Sequence, residues 1–144
     1  MREILFSGKR KDSGAWVEGF LVKDTAFYGM PENHAYIVNH GHPSGCFGGD
    51  IYVEVEPDTV GQYTGLTDKN GTKIFEGNVV RAVIKASKST LPFEWPAAPV
   101  VYKGSSFGLA YKSNFGFVRL DGFAPTVTLE VIGNVHDNPE LKEV

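Results

Sequence analysis

The chain has 144 residues and a net charge of −3. That length suits one domain or two small sub-domains, and that charge excludes a global positive field drawing the protein onto nucleic acid or an anionic membrane. Its only cysteine, Cys46, rules out an intramolecular disulfide framework and fits a reducing cytoplasm, while 17 glycines, 8 prolines, 10 Phe and 6 Tyr favour short strands and tight turns over long helices.

In chain order, Ile4-Leu5-Phe6 opens as a strand, "KRKDSG" is a solvated turn and "AWVEGFLV" resumes with strand formers. Residues 3 to 22 therefore read as a hairpin. The start is no signal peptide, since charge at positions 2 and 3 is followed by only three apolar residues, and no run elsewhere is long enough to span a bilayer. Residues 26 to 50 are irregular and rich in Gly, Pro and His, with one short strand at 35 to 38. "IYVEVE", residues 51 to 56, alternates as a half-buried strand does, and Pro57 breaks it.

"TGLTDKNGTKIFEGNVVR", residues 64 to 81, supplies turn and strand grammar. Asn70-Gly71 is the preferred pair for a type I′ hairpin turn, Gly77-Asn78 marks a second tight turn or bulge, and "NVVRAVIK" is a strong strand. Residues 86 to 99 form a proline-rich loop carrying Phe93 and Trp95. "VVYKGSSFGLAYK", "FGFVRLDGF" and "TLEVIGNV" follow as strands. "DNPELKEV" has Asn138 placed to cap and Pro139 placed to begin a short helical turn.

Candidate chemistry is sparse. His34, His40, His42 and Cys46 are zinc-ligand types, but they lack the paired Cys-x-x-Cys or His-x-x-x-His hooks of a zinc site; the plainer reading is a polar loop, with no metal and no cofactor. Glu18 and Glu76 occupy matching places in two similar segments, "KDSGAWVEGFLV" and "KNGTKIFEGNVV". Nothing in the spacing brings them within the roughly 5 to 10 Å that an acid–base pair needs. No nucleophile elbow and no phosphate-binding loop is present. For nucleic acid, Lys9, Arg10 and Lys11 cluster, Arg81, Lys85 and Lys88 lie on or after a strong strand, and Tyr102, Lys103, Phe107, Tyr111 and Lys112 interleave aromatics with lysines. Phe93 and Trp95 suit a partner contact; the competing reading folds Trp95 back over the protein's own core.

Three blocks together, "MREILFSGKRKDSGAWVEGFLV", "TVGQYTGLTDKNGTKIFEGNVVR" and "LEVIGNVHDNPEL", resemble the YopX family of phage and prophage proteins. The resemblance implies a mostly β, phage-encoded protein of the host cytoplasm and implies no reaction. Two positions depart from it: Ser7 stands where the family usually has Arg, and Asn78 where it usually has Asp.

The expected fold is mainly β. It has two small β sub-domains, 1–57 and 58–144, the second an SH3-like open barrel, with a short C-terminal helical turn. The expected function is that of a non-enzymatic accessory protein working through protein contacts, with itself or with an unknown host or phage protein, and not with a membrane. A nucleic-acid-binding β module is the alternative.

Overall fold

The computed structural model describes residues 2–23, 34–38, 52–84, 93–112, 116–123 and 127–143. The chain is mainly β, as expected, and its strands are antiparallel throughout the described residues. It packs as two units, Met1–Tyr63 and Thr64–Val144.

The first unit holds β1 (Phe6–Lys9), β2 (Trp16–Lys23), β3 (Ala35–Val38), β4 (Tyr52–Val55) and the start of β5 (Gly61–Thr67), in the order β4-β3-β2-β1-β5. β2 serves two partners. Trp16 to Gly19 pair with β1, and Phe20 to Lys23 pair with β3. The changeover falls at Gly19, where an added Cβ would sit 1.9 Å from the Val38 carbonyl oxygen, so this close approach admits no side chain. The strand alternation read from "IYVEVE" is realised: Val53 and Val55 turn inward and Tyr52 and Glu54 outward. Ala35, Ile37, Val53 and Val55 form the buried centre, with Phe6, Val17, Leu21 and Val60 packed on it. The far side of β4 is met by the chain leaving β1, where Lys11 N–H donates to Glu54 O (3.1 Å) and Glu56 N–H donates to Lys9 O (2.8 Å).

The second unit holds the end of β5, β6 (Lys73–Phe75), β7 (Asn78–Ile84), β8 (Phe93–Glu94), β9 (Ala98–Lys103), β10 (Ser106–Ala110), β11 (Phe117–Arg119) and β12 (Val127–Asn134). β6 lies beside β5, and a separate six-stranded sheet runs β11-β10-β9-β7-β12, with β8 also on β7. Among the described residues β11 and β12 do not pair with each other, so the sheet does not close into a barrel. Ile74, Val80, Ala98, Val100, Leu109, Tyr111 and Leu120 make its core. A 3-10 turn, Pro139–Glu143, ends the described chain.

One turn differs from the sequence reading. Asn70-Gly71 is not a type I′ turn, because Gly71 has positive φ (82°) and Asn70 does not. Gly71 N–H donates to Asp68 O (3.0 Å), closing a tight turn over Asp68–Gly71 with left-handed Gly71 at its end. The Asp68 side chain decides the form by capturing the Asn70 N–H. Consecutive positive φ values, the mark of type I′, occur instead at Gly104 (59°) and Ser105 (67°) between β9 and β10. Asn138 sits at the start of the helical turn, where its carbonyl accepts the Leu141 N–H (3.0 Å), while its Oδ1 also accepts the Asn134 N–H (3.3 Å) upstream.

Candidate functional site

The outer face of β2, β3 and β4 is the surface that stands out. Strand register places Phe20 beside Val38, and Val38 beside Tyr52, forming one row across three strands. Leu21, Ile37 and Val53 form the next row and point into the core, so the pleat directs Phe20, Val38 and Tyr52 outward. Phe20 is 47% exposed and Tyr52 is 65% exposed. The following outward row is Val22, Tyr36 and Glu54. Five of these six residues are aromatic or β-branched, and Phe20, Val22 and Tyr52 are exposed, whereas an outward row usually carries polar residues.

Charge gathers at one edge of that face. The Glu54 carboxylate meets Lys11 Nζ (3.0 Å) and His34 Nδ1 (2.6 Å). The Lys11 hydrogen bond holds the Glu54 carboxyl below its usual range, and Glu54 in turn raises Lys11. His34, one of the four metal candidates, is therefore engaged with a carboxylate. His40, His42 and Cys46 lie outside the described residues. Among the described residues no group of three or more His, Cys, Asp and Glu side chains is placed to hold a metal ion.

The basic candidates are mostly engaged with acids. Arg10 Nη2 binds Asp12 (2.7 Å) and pulls its carboxyl down to about 2, Lys11 binds Glu54, and Arg81 Nη2 binds Glu130 (3.2 Å). Lys69 Nζ reaches the same Glu130 oxygen (3.3 Å). Lys85 lies outside the described residues. The run Tyr102, Lys103, Phe107, Tyr111, Lys112 does not form one surface. Tyr102 and Phe107 pair edge-on at 5.0 Å, while Tyr111 is buried in the core, where burial pushes its hydroxyl up to about 12. Glu18 is exposed on β2 in the first unit, and Glu76 is half-buried in the β6–β7 turn of the second.

Trp95 is half-buried against Tyr111 and Phe123, with ring centroids 5.7 Å apart in both pairs, and its backbone N–H donates to Ala82 O (2.9 Å). Much of its apolar surface is therefore used within its own unit. The side chain of Phe93 lies outside the described residues.

The stretch from Asp68 to Asn78 serves structure. Asp68 is 8% exposed, and its Oδ1 accepts N–H bonds from Asn70 and Thr72 (2.9 Å each), while its Oδ2 accepts from Val131 (3.0 Å). Lys69 N–H donates to Leu129 O (2.9 Å). Asp68 thus staples its turn to the edge of β12, beside the irregularity between Val131 and Gly133. Asn78 Oδ1 accepts the Phe75 N–H (2.7 Å), a role that an amide oxygen fills as a carboxylate would, so the departure at this position leaves the turn intact. Ser7, the other departure, is buried in β1 opposite Glu18 and Gly61.

Sequence reasoning missed the apolar row. Its members are scattered over residues 20, 38 and 52, and only the β2–β3–β4 register aligns them. The alternation in "IYVEVE" was the one available signal.

Among solved structures, the chain is similar to protein EF1440 from Enterococcus faecalis, with a TM-score of 0.51 and 20% identity, covering 98% of this chain and 99% of that one. That likeness shows a shared fold. No curated protein matches the sequence. The family model for YopX protein matches residues 16–143, nearly the whole length, and the chain belongs to that family.

Proposed function

We propose that this YopX-family chain is a non-enzymatic accessory protein that works through protein contacts, and that its first contact is with a second copy of itself. The observation carrying this reading is the outward row Phe20–Val38–Tyr52 on the first unit. The row has an aromatic ring at each end and a valine between. A two-fold axis running along β3 between two such faces sets Phe20 of each copy against Tyr52 of the other, and Val38 against Val38. The row is therefore self-complementary, as a two-fold interface requires. Face-to-face packing of two sheets also removes from water the apolar surface that this row exposes.

The family resemblance supports a phage or prophage setting, and the lone thiol of Cys46 supports the cytoplasm of the host bacterium. The irregularity in β12, which bends a strand, supports an SH3-like curl of the second unit. Trp95 and Phe93 stay in the proposal as secondary contacts.

Sedimentation velocity on Phe20→Ser and Tyr52→Ser tests the reading. Both positions face away from the core, so each variant should keep the wild-type far-UV circular dichroism spectrum and sediment as a monomer where the wild type is a dimer, melting lower only by the stability that dimerisation adds. If both variants assemble as the wild type does, this face is not the contact. Adding Trp95→Ala to the series tests the loop: unchanged assembly removes Trp95 from the interface.

A further inference from the structure

We infer that the outer face of β9, β10 and β11 is a contact site for single-stranded nucleic acid. This face lies on the second unit, and the inference is independent of the self-contact proposed for the first.

Three rows define the face. Leu109, Val100 and Val118 align across the three strands and pack into the core. The neighbouring row, Val101, Gly108 and Arg119, must then point the other way, as must Lys103 and Phe117, two residues further along their own strands. The side chain missing at Gly108 leaves a shallow gap, and the Phe117 ring fills it. Two of its carbons lie 2.5 and 2.6 Å from where a Gly108 Cβ would stand. Lys103 Nζ sits 6.0 Å from the centre of the same ring, at the outer limit of a cation–π contact. Arg119 is exposed, and its guanidinium meets Asp121, itself exposed (2.8 Å). An exposed pair of this kind yields readily to a stronger anion.

The charge around this face runs against the rest of the chain. At the face itself the cations Lys103 and Arg119 stand against one carboxylate, Asp121, whereas the chain as a whole carries −3. A half-exposed aromatic ring on a sheet, flanked by a lysine and an arginine, matches a base that stacks and phosphates that pair. An acidic peptide would use the cations and leave the ring idle. The sequence had shown Lys103 among aromatics, but the pleat gives it Phe117 as companion and sends Tyr102 and Phe107 to the opposite side.

Fluorescence anisotropy with labelled oligo(dT) and oligo(rU) of about 15 nucleotides, in about 20 mM salt, tests the site. The wild type should bind. The double variant Lys103→Glu/Arg119→Glu should bind about tenfold more weakly and reduce the slope of log affinity against log salt by about 1.4, the share of two phosphate contacts on a single strand. Phe117→Leu, which keeps an apolar cover over Gly108, should weaken binding about tenfold at an unchanged melting temperature. Lys103 and Arg119 are exposed, so the double variant reads out even where Phe117→Leu perturbs the fold. The inference is overturned if neither oligonucleotide binds, if the double variant binds as the wild type does, or if poly-glutamate competes as well as the oligonucleotide.

Discussion

Asp68 shows how one side chain can settle a local structure. Burial raises the proton affinity of its carboxyl, but the N–H groups of Val131, Thr72 and Asn70 outweigh that and leave the group below its usual range. Its contribution to stability is therefore complete above the ordinary carboxylate range, about pH 4, and is lost as pH falls through the lower folded value. Asp68→Asn removes the charge and turns an NH2 group toward one set of N–H donors. Thermal melts should show a loss of about 1–3 kcal/mol at about pH 7, and the gap to the wild type should close in acid. A constant gap across that range would remove the carboxylate from the account. Gly71 adds a second residue-scale test. Its φ of 82° is a conformation that a Cβ resists, so Gly71→Ala should cost about 1–2 kcal/mol on denaturant unfolding, and equal stability would contradict the turn described.

At the scale of elements, β2 depends on Gly19. The strand leaves β1 and takes up β3 at this residue, and the Val38 carbonyl fills the space that a side chain would need. Gly19→Ala should destabilise the first unit by about 1–3 kcal/mol or more, read as a lower melting temperature and an earlier loss of strand signal. An unchanged melt would mean that the two halves of β2 do not meet as described. Trp95→Ala should cost about 2 kcal/mol, because the ring packs on Tyr111 and Phe123.

Much at this scale was legible in the sequence. The β1–β2 hairpin, the strand at 35 to 38, "IYVEVE", "NVVRAVIK" and the final strand were all readable from apolar pattern and turn residues. The type of the Asn70-Gly71 turn was not, because the pair preference takes no account of the Asp68 side chain two residues upstream, which captures the Asn70 N–H. The strand at Gly61–Thr67 was also missed, since "GQYTGLT" carries two glycines and little alternation. The candidate face was hidden for another reason. Which residues share a row is fixed by register between strands, and register is set by the packed core and turn geometry rather than by any one segment.

At the scale of the whole molecule, surfaces carry the functional signal, because the described residues place no group of three or more His, Cys, Asp and Glu side chains to hold a metal ion. An exposed apolar row on a small β unit is a liability unless something covers it. In the proposed dimer a second copy covers it. Static light scattering on the purified wild-type protein across a range of micromolar concentrations measures this directly. The wild type should show a mass of twice the 15.7 kDa chain, falling to the chain mass in Tyr52→Ser. A wild-type mass that stays at 15.7 kDa over the whole range would contradict the dimer.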